Sequence, residues 1–418
     1  MLVRTLTFTA AALAAALMLP PTGFAQAPAT AARAPRPLEF DTATGQRIRV
    51  TQVAGGLVHP YSLAFPDART ILVAERSGRL RVIKNGVLLP TPAWEAPAPP
   101  PGSPPSNNEP DRLHFIELHP AFAQNRLVYL SYPKYGPRGN TIAVGRGTLT
   151  GETLTGFEEL FVSEAWESYG ANPGRMLFMR DGTLLVTVGD RDRYCCDGSE
   201  NTSQRMKAQT LDNDYGKILR LRDDGSIPPD NPFVGRAGAR PEIYTYGNRN
   251  AYGLAYHPET GELWQSEIGP LGGDEVNILQ AGHNYGWPLV SIGRNYTGTP
   301  VSDRPWTREG MDDPRMVWVP SISPSGLIFY TGDRFKGWKN SAFLGALSPG
   351  GLWRVSFNQP QQAEKREVLL ASLGLRIRDV QQGPDGNLYI ATERGTAGAR
   401  PDGTVMRIEP VASPTTRR

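Results

Sequence analysis

Three arginines offer fixed, planar cations: Arg249, within Tyr246-Gly247-Asn248-Arg249-Asn250, and the pair Arg376 and Arg378. A guanidinium presents a rigid fork of donors that matches a carboxylate, so arginines from distant segments suit a polycarboxylate ligand wherever the fold makes them converge. Taken singly, each reads as a surface ion pair. A second chemistry lies in Gly269-Pro270 through Asp274-Glu275 and in the region of Tyr285. Carboxylates beside turn carbonyls are the oxygen donors calcium takes, although a solvated acidic turn is the plainer reading. Histidine, the commonest general base, occurs five times. His119 and His257 precede prolines in turns and read as structural, and His283 reads as solvated. His59, just before Tyr61-Ser62, lies on a loop able to face the interior. Cys195 and Cys196 are adjacent, and a bridge between them would be a strained vicinal ring.

These groups must be positioned by a β-rich chain. Of 418 residues, 45 are Gly and 38 are Pro, about a fifth of the chain against a usual level of roughly 12%. That excess disfavours a helical bundle, and a 39% hydrophobic content is enough for a core. The net charge of +3 comes from 44 basic and 41 acidic residues, a balance that calls for neither nucleic acid nor a membrane surface. Arg4 and the apolar run Leu6 to Leu19, ended by Pro20 and small residues, read as a secretory signal over residues 1–27. A linker is expected over 28–40, the main domain over 41–412 and a tail over 413–418. No second apolar run is long enough to span a membrane, so a periplasmic or secreted location is expected.

One pattern recurs six times: an apolar segment, a turn, then an alternating strand. Leu63-Ala64-Phe65 leads to Ile71-Leu72-Val73, Phe115-Ile116-Glu117 to Leu127-Val128-Tyr129, and Met176-Leu177-Phe178 to Leu184-Leu185-Val186. Leu254-Ala255-Tyr256 leads to Leu263-Trp264, Leu327-Ile328-Phe329 to Phe343-Leu344, and Val380 to Leu388-Tyr389-Ile390. Such hairpins cannot bury both faces alone, and six of them predict an all-β, six-bladed β-propeller rather than a pair of sandwiches. Arg49 to Val53 is expected to pair with Val405 to Ile408, closing the ring. Segments 90–110, 190–214 and 269–299 read as long loops able to carry function.

Tyr246 to Asn250, Gly253-Leu254, Gly261 to Trp264, Asp274 to Asn277 and Asn284-Tyr285-Gly286-Trp287-Pro288 together resemble the glucose/sorbosone dehydrogenase family. Val188-Gly189-Asp190-Arg191, Pro320 to Gly326 and Arg376 to Val380 extend the likeness in the same order over nearly the whole mature chain. The resemblance implies an exported quinoprotein that uses pyrroloquinoline quinone (PQQ) and calcium to oxidise an aldose. Its partners would be a small sugar and an electron acceptor that the sequence does not identify. It implies cofactor contacts at Arg249, Asn250, Tyr296, Arg376 and Arg378, calcium ligands at Glu275 and the carbonyl of Tyr285, and at Asp190 the carboxylate that orients the catalytic histidine, a group that can itself assist proton transfer as a weak base.

The chain also departs from that pattern. The family's catalytic histidine falls at Ala171, in Gly170-Ala171-Asn172-Pro173-Gly174-Arg175, and a methyl group cannot take a proton. A glutamine expected in a glycine-rich loop falls in Glu109-Pro110-Asp111-Arg112, and a lysine expected after Leu347 is Ser348. A non-catalytic propeller that binds a carbohydrate or an anion is therefore the rival expectation. A propeller hydrolase or lactonase finds no His–carboxylate or multi-Asp metal centre in the sequence.

Overall fold

The computed structural model describes residues 37–103, 111–168, 172–192, 202–303, 306–358, 363–395 and 400–411. The expected signal segment, Ala171, Cys195 and Cys196 lie outside the described residues. Six antiparallel sheets form a β-propeller. Blades 1 to 5 begin with Pro60–Asp67, Ile116–Leu118, Met176–Phe178, Ala251–Tyr256 and Pro324–Phe329, and blade 6 begins with Arg376–Gln382. These six first strands contact one another in a closed ring around the central channel. The long amino-terminal strand Ile48–Leu57 completes blade 6 by pairing with Gly403–Pro410, in the register Val50 opposite Ile408 and Thr51 opposite Arg407. The predicted closure of the ring is thus observed. Leu38–Phe40, expected within the linker, adds a further strand at the outer edge of this blade.

Period-2 alternation explains why the sequence settles on blades. In Leu184–Val188, Leu184 and Val186 enter the core shared with blade 2, whereas Leu185 enters the core shared with blade 4. Each strand therefore needs apolar residues on both faces, and each of the six blade interfaces has its own apolar cluster. The hairpin turns carry their own chemistry. At Asp181-Gly182 the carboxylate accepts the Thr183 N–H at 3.0 Å, and Gly182 takes φ 84°, which a side chain would resist.

A single buried ion pair ties the ring across its centre. Arg175 of blade 3 donates to Asp379 of blade 6 at 2.9 Å. The same guanidinium lies 4.6 Å from the Phe115 ring of blade 2 and donates to the Tyr252 carbonyl of blade 4 at 3.1 Å. Asp379 also accepts the Leu63 N–H of blade 1 at 2.9 Å. In blade 5 the neighbour is Gly326, where a Cβ would sit 2.7 Å from the Asp379 carboxylate. The pair therefore meets all six blades.

One expectation is corrected. The stretch 269–299 read as a loop, but Asp274–Leu279 is the third strand of blade 4. Its alternation was hidden because buried positions hold Asp274, Glu275 and Asn277 instead of apolar side chains.

Candidate active site

The start of each innermost strand and the end of the next strand lie at the same mouth of the channel, because the two are antiparallel neighbours. Most sequence-predicted site residues occupy one of these positions or the loop beside it, and Glu275, near the start of the third strand of blade 4, lies opposite Glu267 at the same mouth. Arg249 and Asn250 precede Ala251–Tyr256, Arg376 opens Arg376–Gln382, and Asp190 follows Leu184–Val188. A pattern overlooked in the sequence completes the arrangement. Carboxylates also close the second strands of three other blades, at Glu75, Glu267 and Glu393, and all three are buried.

On one side, blades 6 and 1 assemble a cationic group. Glu393 accepts from Arg376 at 3.2 Å, from Arg378 at 2.8 Å and pairs with His59 Nδ1 at 2.8 Å. Burial alone would raise the Glu393 carboxyl, but Arg378, His59 and Arg376 outweigh it and hold it down to about 2. Burial and the adjacent Arg378 push Arg376 below its usual value. Two guanidinium groups share one carboxylate here, so the group carries surplus positive charge. Arg378 also lies 5.4 Å from the ring of Tyr61.

Blades 3 and 4 form the opposite side. Asp190, fully buried, accepts from Trp287 Nε1 at 2.8 Å and from Asn250 Nδ2 at 3.4 Å, while its own N–H donates to the Arg249 carbonyl at 2.9 Å. Burial raises the Asp190 carboxyl, and the Arg249 charge opposes the rise. Arg249 stacks 5.1 Å from the Trp287 ring and donates to the carbonyls of Ile268 and Gly269 at 2.7 and 2.9 Å. It thus pins the start of the segment expected to bind calcium. Tyr296 is half-buried on the loop whose Asn295 side chain accepts from Arg205 at 2.7 Å.

Beyond Arg249 the charge becomes negative. Glu267 and Glu275 face each other across paired strands, and Glu267 accepts the Arg249 N–H at 2.6 Å. Burial raises both carboxyls; Asp190 adds repulsion at Glu267, and Glu267 and Asp274 add it at Glu275. Asn277 places its Nδ2 between the two carboxylates, while its Oδ1 is buried with no hydrogen-bond partner among the described residues. Asp274 is occupied by Ser321 and by the backbone N–H groups of Gly269, Ile322 and Ser323. The Tyr285 hydroxyl donates to the Ile278 carbonyl at 2.9 Å, which leaves its main chain as the ligand candidate.

These arrangements fit both expected groups. A polycarboxylate quinone would answer the surplus of guanidinium charge on the blade 6 side. A calcium ion would relieve the Glu267–Glu275 repulsion and use the Asn277 oxygen. No cluster of three or more His, Cys, Asp or Glu side chains able to hold a metal occurs among the described residues, so carbonyl oxygens would have to complete the shell.

The histidines fall largely as read. His119 and His257 accept backbone N–H groups within their own turns, and His283 pairs with Asp312 at 2.8 Å. His114 escaped notice. It is buried, stacked 5.0 Å from Tyr61 and 3.6 Å from Asp111, which also pairs with Arg76. Its place two residues before the innermost strand of blade 2 was the available signal.

Comparison with known proteins decides the kinship. A family model described as Glucose / Sorbosone dehydrogenase matches residues 57–401. This chain belongs to the glucose/sorbosone dehydrogenase family. The chain is 36% identical over 376 residues to an aldose sugar dehydrogenase of Escherichia coli, covering 87% of this chain and 93% of that protein. It is 28% identical over 356 residues to quinoprotein glucose dehydrogenase B of Acinetobacter calcoaceticus, with 69% and 74% covered. The crystal structure of the soluble E. coli aldose sugar dehydrogenase in its apo-form superposes with a TM-score of 0.77, over 87% of this chain and 100% of that one. A PQQ-bound aldose sugar dehydrogenase from Streptomyces coelicolor gives 0.65 at 26% identity, with 87% and 98% covered. No helix among the described residues is long and apolar enough to cross a membrane.

Proposed function

We propose that this family member is an exported aldose dehydrogenase that depends on PQQ and calcium. The observation that carries the reading is the convergence of Arg249, Arg376 and Arg378 at one mouth of the channel, beside buried acids that need a cation. Arg376, Arg378, Arg249, Asn250 and Tyr296 would hold the quinone, and Glu275 with the Tyr285 carbonyl would hold calcium. When bound, the quinone supplies the two-electron oxidant that takes hydride from the sugar carbon.

The remaining work falls to the chain. Asp190 would assist transfer of the sugar hydroxyl proton as a weak base. Burial makes it a stronger base than an exposed aspartate, and the Trp287 and Asn250 hydrogen bonds fix its orientation. Arg249, anchored on Ile268 and Gly269, couples the cation segment to this carboxylate. The signal over residues 1–27 would deliver the protein to the periplasm or beyond. The test is a panel of aldoses with a dye acceptor after loading with PQQ and calcium; turnover supports the reading, and none with any sugar overturns it.

A second reading rests on one residue, Ala171 in place of the family histidine. On that reading the propeller binds a carbohydrate or an anion without turnover. Ala171→His separates the two. An active wild type whose rate rises about 100-fold or more, as expected for an added general base, supports the dehydrogenase. A silent wild type that the substitution awakens supports the binding protein.

A further inference from the structure

Around Asp190 several buried polar groups gather whose needs the described residues do not meet. Asp192 donates its N–H to Asp190 Oδ1 at 3.1 Å, and Asn250 Nδ2 approaches the same oxygen at 3.4 Å. Arg205, on the short helix Thr202–Met206, donates its Nε to Asp192 Oδ2 at 2.8 Å and lies 5.5 Å from the Trp287 ring. Trp287 in turn donates to Asp190 Oδ2 at 2.8 Å. Asp192, Arg205 and Asn250 are 4%, 3% and 3% exposed, so water does not satisfy them freely. Even so, Asp192 Oδ1, Arg205 Nη2 and Asn250 Oδ1 have no hydrogen-bond partner among the described residues. A folded protein rarely leaves one such atom unpaired, and three in one connected chain of contacts, Asn250 to Asp190, Asp190 to the Asp192 backbone and Asp192 to Arg205, indicate a ligand.

The chemistry of the three atoms narrows its class. One is a fixed donor and two are acceptors, a set that suits groups able both to donate and to accept. Hydroxyls do this, and a carboxylate does not. Charge agrees: Asp190 and Asp192 are offset by Arg205 and Arg249, so the cluster has no surplus cation for an anion, unlike the Arg376–Arg378 group. The planar guanidinium of Arg205 can also span two neighbouring oxygens.

We propose that Asp192 and Arg205 form a recognition site for adjacent hydroxyls of a neutral sugar, with Asn250 Oδ1 at its edge. This rests on the aldose reading above and assigns its substrate contacts to residues distinct from the arginines on the other side. A site built to pair with a hydroxyl discriminates strongly against an analogue that lacks it, because its own buried groups are then left unmatched.

The experiment compares wild type, Asp192→Asn and Arg205→Met, each loaded with PQQ and calcium, with D-glucose and its single-deoxy analogues as probes. Arg205→Lys serves should the methionine variant fail to fold. Saturation-transfer NMR with glucose reports binding without turnover. The expected result is a KM for glucose raised about tenfold or more, kcat changed less than about threefold, and unchanged affinity for PQQ, the loss of one buried hydrogen bond being worth roughly that factor. One deoxy analogue should bind wild type and variants alike. An unchanged KM and NMR signal in all variants overturns the proposal, as does a loss of PQQ affinity with sugar binding intact. A wild type that binds glucose at this site but never oxidises it leaves the proposal standing and defeats the dehydrogenase reading.

Discussion

The two sides of the channel mouth are built from the same strand positions and carry opposite electrostatics. On the blade 6 side, Arg376, Arg378 and His59 converge on a single carboxylate, and Glu393 is held down to about 2. On the blade 4 side, Glu267 and Glu275 oppose each other with the Asn277 amide between them, and both carboxyls are raised by burial, with added repulsion from Asp190 at Glu267 and from Glu267 at Glu275. The first side carries surplus positive charge and the second surplus negative charge. A quinone and a calcium ion would each balance one side, so the pattern of charge predicts opposite responses to the loss of a carboxylate.

The largest effect is expected on the cationic side. Glu393→Ala leaves the buried Arg378 and the half-buried Arg376 uncompensated and should cost about 3–5 kcal/mol of stability, measured by denaturant unfolding without ligand. Added PQQ should restore part of that loss, raising the variant's Tm by more than the wild type's. Equal shifts would break the contrast. On the acidic side the sign reverses: Glu275→Gln removes one of two repelling charges and should stabilise the calcium-free protein by roughly 1–2 kcal/mol while abolishing stabilisation by calcium, since breaking a like-charge pair relieves a buried penalty. A destabilised Glu275→Gln protein that still responds to calcium would refute this assignment.

The smallest effect is graded with pH, and again the sides differ in sign. The folded carboxyls of Glu267 and Glu275 lie above the ordinary value of 4.5, so the folded state binds more protons and calcium-free stability should fall as pH rises past that value. Calcium should flatten this decline. Glu393 lies below its ordinary value, so its contribution is present above about pH 4.5 and is lost as pH falls toward about 2. Unfolding curves over this range, with calcium and with chelator, separate the two terms.

Much of the fold was legible because its physics is local. The turns at Asp181-Gly182 and Asp385-Gly386 and the doubled apolar alternation of Leu184–Val188 announce hairpins buried on both faces. The ring closure by Val50 and Ile408 followed from matching strand patterns at the two ends. The site was legible only in part. Arg249, Asn250 and Asp190 prove to be neighbours, and Arg376 and Arg378 form a pair across the channel. The organising acids Glu267 and Glu393 were missed because a lone carboxylate at a strand end looks like a solvated terminus. Strand Asp274–Leu279 was missed for a related reason: buried polar residues that serve a site erase the apolar pattern by which a strand is recognised. Nothing local in the sequence could show that Asp192 and Arg205, thirteen positions apart, are bonded.

The central claim is that the guanidinium groups gathered at this mouth hold a quinone, and the direct measurement is calorimetric titration of the calcium-loaded protein with PQQ. Tight binding in the wild type, weakened by about 100-fold or more in Arg376→Ala and Arg249→Ala because charge-assisted hydrogen bonds are lost, is the predicted result. A folded wild type that takes up no PQQ, or variants that bind it as tightly as the wild type, would contradict the account.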